Sequence, residues 1–379
     1  MTQVAPLWPS PEALIAAERP EEPLFLLDPA AVTAGARRFL DGFPGLVTFA
    51  VKSNPAPQIL LGLIAAGVRG FDVASAEEIR LLRRLSPEAA LHFHNPVKSR
   101  EELRFAWAEG VRTYAVDSLA EMAKIEEVLP AEGCELSVRF RLPVKGAAYD
   151  FGAKFGADEA TAATLLAEAA ARGFTASLTF HPGTQCRDPN AWTAYIEAAG
   201  RIAKAAGVRP ARLNVGGGFP APTAGAPDLS VYFETIARAA ARAFDGEAPA
   251  LVCEPGRGMI AGAMALVTQV KLVRDDGAVF LNDGVYGGLA EAPLTGEVAP
   301  RRAVRADGSA VPGAARGRVV FGPTCDSVDR QPGEVALPEG LAEGDFVVFL
   351  GLGAYGTATA TRFNGFGPSR VELVETLAA

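Results

Sequence analysis

The stretch 47–73, VTFAVKSNPAPQILLGLIAAGVRGFDV, decides the fold. VTFAV (47–51) is a short β-branched and aromatic run of the kind that forms a buried strand. Two prolines in KSNPAP end it, the apolar segment after them predicts a helix over 57–66, and RGFDV (69–73) is a second strand-like run. A helix between two apolar strands is the βαβ unit, whose strands lie parallel. Outward from this unit, strand-like runs recur at 90–94 (ALHFH), 112–116 (RTYAV), 135–141 (ELSVRFR), 176–181 (ASLTFH), 211–215 (ARLNV) and 249–253 (PALVC). Helix-like stretches at 76–84, 99–109, 118–128, 158–172, 190–206 and 229–244 separate them. Eight such strands make an α/β chain and fit a (β/α)8 barrel, whose usual size is ~250 residues. An open doubly wound sheet is the alternative.

After residue 262 the helical runs vanish. MALVTQVKLVRDDGAVFLNDG, RRAVRADGSAVPG, RGRVVFGPT and GDFVVFLGLGAY are β-rich with Gly, Pro and Asp turns, so an all-β domain is expected. PLFLLD (23–28) precedes the barrel and is also strand-like. The expected division is therefore an N-terminal segment 1–28 pairing with the β domain, a barrel 29–262, and a C-terminal β domain 263–379.

The net charge of −8, from 36 basic and 44 acidic residues, argues against a nucleic-acid or anionic-membrane partner, which needs surplus basic residues. Four widely spaced cysteines without a CxxC pair suit reduced thiols in the cytoplasm. No metal is expected. The start MTQVAPLWPSPEAL lacks the pattern of a signal peptide, and no apolar run is long enough to span a bilayer.

Barrel enzymes carry their chemistry at the C-terminal ends of the strands. Strand one ends at Lys52, where desolvation behind an apolar run should favour the neutral, nucleophilic amine. Strand two ends at Asp72, strand five carries Arg139 and strand six ends at His181. Strand seven runs into Gly216-Gly217-Gly218, whose bare backbone can approach a phosphate. Strand eight runs into Glu254-Pro255-Gly256-Arg257, a carboxylate at the barrel mouth with an arginine that could grip a phosphate. Each has a plainer reading: a lysine reaching solvent, a tight turn, a local salt bridge, a structural histidine.

Taken in order, FAVKSNP, GFDVAS, FHPGTQ, VGGGF, CEPGRG, FGPTCDSVD and GAYG with RFNGF resemble the fold-type III pyridoxal-phosphate decarboxylases, the ornithine/diaminopimelate/arginine decarboxylase family. FGPTCDSVD and RFNGF look most like its ornithine/lysine branch. The resemblance implies a barrel followed by a β domain and an enzyme using pyridoxal 5'-phosphate to decarboxylate an L-amino acid with a basic or polar side chain, as in polyamine biosynthesis. Diaminopimelate- or carboxynorspermidine-type decarboxylation and a non-catalytic regulatory homologue are the alternatives.

By this resemblance Lys52 would carry the cofactor, Glu254 would face its ring nitrogen and His181 would stack on its ring. Gly217, Gly218, Arg257, Thr184 and Tyr355 would hold its phosphate, with Asp72 and Arg139 nearby. Cys325 would protonate the product carbon and Asp326 would bind the substrate's distal amine, both from the neighbouring subunit of a homodimer, with Phe363 from the same interface. The ornithine branch places an acidic specificity residue twelve positions after the aspartate of NDGVYG. Here that position is Thr295, with Glu291 and Glu297 close by, so Thr295 and Glu297 are the expected substrate-binding residues and ornithine itself is in question.

Overall fold

The computed structural model describes residues 6–142, 154–222 and 226–378. The chain divides into two compact units, 36–258 and a second formed by 1–35 with 259–379.

The first unit is a closed barrel of eight parallel strands: β1 (Leu46–Ala50), β2 (Gly70–Val73), β3 (Ala90–Phe93), β4 (Thr113–Val116), β5 (Glu135–Arg139), β6 (Thr175–Thr179), β7 (Arg212–Asn214) and β8 (Ala250–Cys253). The barrel closes through Val252 and Cys253 of β8, which register against Leu46 and Val47 of β1. The run expected to reach 141 stops at Arg139, because Phe140 makes only a single bridge to Ala157.

The sequence punctuates the intervening helices. Ser75, Ser99, Ser118, Asp158 and Asp228 each accept a backbone N–H of the first turn with the side chain, a cap worth about 1 kcal/mol. Gly67 (φ 107) and Gly207 (φ 64) end two helices in the left-handed region. Phe71, Phe93, Val138, Leu178 and Leu213 are fully buried, as are several polar strand residues, including Thr48, His92, Glu135, Ser177 and Asn214. A polar cluster inside a barrel needs internal partners. Arg212 supplies some, lying 3.5 Å from both Glu135 and His92 Nε2.

In the second unit the ten-residue strand β9 (Met264–Val273) is the spine. Met264–Val267 pair antiparallel with Leu24–Leu27, so this N-terminal strand is part of the sheet. The same strand pairs with Phe346–Leu350 on its other side and, across a register shift between Val270 and Leu272, with Val279–Leu281. Leu14, Leu24, Leu26, Val267, Phe346, Val348 and Val374 form the core.

Within the β-rich run RGRVVF the pairing changes partner: Ala315–Arg318 pairs with Val335–Pro338, whereas Val320–Phe321 pairs with Val279–Phe280. Beside its strands the unit carries the eight-residue helix Pro11–Glu18 and one-turn helices at Ala292–Thr295 and Gly356–Thr359. No helix among the described residues is long and apolar enough to cross a membrane.

Candidate active site

A cavity of about 510 Å³ lies at the C-terminal end of the barrel strands. Lys52, Asp72, Arg139, His181 and Glu254 line it, together with His94, Asn95, Phe155 and Phe180. Five residues expected from five different strand ends therefore meet at one place. Thr184, Gly217 and Gly218 sit on loops following β6 and β7, Arg257 opens the one-turn helix Arg257–Ile260 after β8, and none of them is among the cavity-lining residues.

Lys52 departs from the expectation of partial desolvation: it is exposed. It occupies the middle of a single 3-10 turn, Val51–Ser53, whose flanking residues are buried. That turn is fixed by Ser53 Oγ donating to Ala50 O at 2.7 Å and by Ala50 N–H donating to Pro255 O at 3.1 Å. A side chain between two inward-facing neighbours is directed outward, toward the open mouth of the cavity.

Glu254 is buried and hydrogen-bonded. Its Oε1 accepts from His94 Nδ1 and, at 2.5 Å, from Asn214 Nδ2. Burial pushes its carboxyl up, but His94 and Asn214 outweigh this and hold it below the usual carboxylate range, so it is ionised. Asp72 behaves oppositely: burial, then the charge of Glu254, raise it to about 7 despite Lys52.

His181 is pushed down to about 3 by burial and then by the Lys52 and Arg139 charges, so its imidazole is neutral. Its Nδ1 accepts the Gly183 N–H at 3.1 Å, which leaves the proton on Nε2. Arg139 stands over the Phe155 ring at 5.3 Å.

The glycine loop is built for close approach. Gly216 (φ 69) and Gly218 (φ 88) are left-handed, and a Cβ on Gly217 would lie 2.6 Å from Glu254 O and 3.2 Å from His181 Nε2. Trp192 anchors this loop, donating from Nε1 to Val215 O at 3.1 Å and stacking on Phe219 at 5.0 Å.

His94 and Asn214 are the functional candidates that sequence reading missed. A signal was present, because His92 and His94 alternate in an otherwise apolar run and so share one face of the strand. His92, His94 and Glu254 bring ligand atoms within 4.8 Å of one another, a set a metal could use. The His94–Glu254 hydrogen bond already fills it with a proton.

The remaining expected residues belong to the other unit. Cys325 is exposed, and its N–H and Sγ both reach Asn364 Oδ1, at 3.1 and 3.3 Å. Asp326 accepts the Tyr286 hydroxyl at 2.5 Å, and Tyr286 lies 4.7 Å from the Phe363 ring. The loop is anchored by Asp329, which accepts from Thr324 N (3.0 Å), Thr324 Oγ1 (2.8 Å) and Val285 N (2.9 Å). Thr295 is engaged locally, its hydroxyl donating to Glu291 O at 3.1 Å and accepting from Glu297 N at 3.3 Å. Tyr355 stands in the left-handed region (φ 60) ahead of Gly356–Thr359.

Residues 30–261 match the family model described as pyridoxal-dependent decarboxylase, pyridoxal binding domain. The decarboxylase flvG of Aspergillus flavus is 33% identical over 371 residues, covering 92% of this chain and 85% of that protein. The lysine/ornithine decarboxylase of Selenomonas ruminantium is 33% identical over 330 residues, covering 84% and 81%. The crystal structure of the Paramecium bursaria Chlorella virus arginine decarboxylase bound to agmatine superposes with a TM-score of 0.85 at 30% identity, covering 95% of this chain and 98% of that one. The cavity suits a pyridoxal group. It offers an ionised carboxylate for a ring nitrogen, a neutral imidazole for a ring face and an exposed lysine, and the bare glycine loop packs directly against Glu254 and His181.

Proposed function

On the premise that the chain belongs to the pyridoxal-dependent decarboxylases, and is an amino-acid decarboxylase with pyridoxal 5'-phosphate as cofactor, we propose that its substrate is an L-amino acid with a basic or polar side chain. The carrying observation is the convergence of Lys52, His181 and Glu254 on one cavity at the strand ends. The relatives named for lysine, ornithine and arginine support a cationic tail.

When bound, the cofactor supplies an electron sink for the carbanion left as carbon dioxide departs. Lys52 would hold it covalently and give way to the substrate amine. Ionised Glu254 would keep the ring nitrogen protonated, and neutral His181 can lie against the ring without adding charge. Gly217, Gly218, Thr184 and Arg257 would hold the phosphate, where backbone N–H groups, a hydroxyl and a guanidinium suit a dianion.

The working form in this reading is a homodimer. The partner subunit's Cys325 would deliver the proton to the product carbon from Sγ, and the partner subunit's Asp326 would bind the distal amine. Exposed Val328 (62%) and Phe363 (42%) on the same unit as Cys325 support burial of that face against a second copy. Four free thiols, three of them buried, support a reducing compartment such as the cytoplasm. Thr295 is engaged with the backbone of Glu291 and Glu297, and these two neighbouring acids are the candidates to meet the substrate's distal cation in its place.

The test is amine formation, followed by mass spectrometry, from ornithine, lysine, arginine, citrulline, diaminopimelate and carboxynorspermidine. Turnover of ornithine, lysine, arginine or citrulline is expected. Turnover confined to diaminopimelate or carboxynorspermidine would overturn the substrate class.

A further inference from the structure

Glu254 has two carboxylate oxygens, and the protein treats them differently. Oε1 accepts from His94 Nδ1 and from Asn214 Nδ2 at 2.5 Å. Among the described residues no donor reaches Oε2, although Glu254 lines the cavity. Asn214 is itself fixed, because its Oδ1 accepts the Gly216 N–H at 2.9 Å. His94 directly follows β3, with its backbone N–H on Val73 O at 3.3 Å, and is 7% exposed.

Beyond these contacts His94 has little to satisfy it. Its Nε2 has no hydrogen-bond partner among the described residues, and its other close neighbour is the His92 ring at 5.3 Å. Burying an imidazole with one nitrogen unpaired is unfavourable. The chain tolerates it where the other nitrogen meets the carboxylate of the site, and no step derived above uses His94.

We propose that His94 is a positioning residue for the decarboxylation: with Asn214 it clamps Oε1 of Glu254 and so presents Oε2 to the cofactor's ring nitrogen. The inference rests on the reading of Glu254 as the group facing that nitrogen. A carboxylate pinned at one oxygen cannot swing away, and a hydrogen bond to a charged acceptor is roughly twice as strong as a neutral one. Orienting partners of this kind commonly change function on the order of 10- to 100-fold when removed.

The experiment compares His94→Ala, His94→Asn and Glu254→Gln, each loaded with cofactor labelled with nitrogen-15 in the ring. The ring-nitrogen chemical shift reports its protonation, and steady-state kinetics separate kcat from KM. Asparagine keeps an N–H donor near the place of Nδ1, whereas alanine removes it. In His94→Ala the ring-nitrogen signal should move toward its unprotonated value and kcat should fall on the order of tenfold or more, with KM changed less than about twofold. His94→Asn should recover most of both.

A wild-type nitrogen signal and kcat in His94→Ala would overturn the proposal. So would a loss in His94→Ala that His94→Asn does not recover while both fold normally by circular dichroism. If Glu254→Gln moves the nitrogen signal and His94→Ala does not, the role of His94 alone fails. If Glu254→Gln leaves the signal unmoved, the reading of Glu254 falls and takes the role of His94 with it.

Discussion

Replacing Lys98 by methionine should destabilise the protein by about 2–6 kcal/mol, the cost of leaving two buried carbonyls without their donor. Lys98 is 1% exposed. Its Nζ donates to Asn95 O at 2.8 Å and Ala115 O at 2.7 Å, and lies 3.3 Å from Glu121 Oε1. Burial pulls its pKa down to about 8 even though Glu121 pushes the other way. Methionine matches the stem but donates nothing, so two buried carbonyls lose their donor at roughly 1–3 kcal/mol each.

Glu121 is not stranded by this change, because Lys124 lies at 2.5 Å and the Lys98 N–H at 3.1 Å. The expected loss therefore comes mainly from the carbonyls. Asn95 O belongs to the segment His94–Val97 that walls the cavity, so cofactor affinity should weaken as well. Urea unfolding of the cofactor-free protein, followed by circular dichroism, reads the first effect, and titration with pyridoxal phosphate reads the second. Combining Lys98→Met with Glu121→Gln should cost less than the two single changes together, since the groups share one network. A loss below about 1 kcal/mol would show that this lysine is not what holds the wall.

Acid should weaken the fold partly through His92. It is 3% exposed, and burial, then His94, push its pKa down to about 3. The unfolded chain binds this proton below about pH 6.5 and the fold does not, so stability falls as pH drops, by about 2 kcal/mol at pH 5. His92→Gln should remove that share of the acid slope in urea midpoints measured from pH 7 to 5; an unchanged slope would mean His92 is protonated in the fold. Asp329→Ala should cost roughly 3 kcal/mol, because Thr324 and Val285 lose an acceptor buried at 1% exposure. It should also change the alkylation rate of Cys325 on the freed loop, and wild-type stability with a wild-type rate would contradict the anchoring role.

The barrel was legible because each strand is a compact apolar run separated from the next by a helical stretch, and because chemical residues stand at the ends of five of the eight, Lys52, Asp72, Arg139, His181 and Glu254. The site was legible only as far as it lies along those ends. His94 was read as the last residue of a strand, and nothing local in Asn214 marks it as the second donor to Glu254. Their role comes from barrel closure, which brings positions 94, 214 and 254 together. Lys98 with Glu121 escaped for the same reason. Lys52 shows the opposite limit: an apolar strand before a lysine does not say which way one 3-10 turn will aim it. In the β unit, the single run RGRVVF hid two pairings because strand partners, unlike helical faces, are not written in local periodicity.

If Lys52 holds the cofactor, borohydride reduction of the pyridoxal-phosphate-loaded protein, followed by proteolysis and peptide mass mapping, should trap it there. A reduced pyridoxyl adduct on Lys52, absent from Lys52→Ala, is the expected result. An adduct on Lys154, which also lines the cavity, or one that survives in Lys52→Ala, would contradict it.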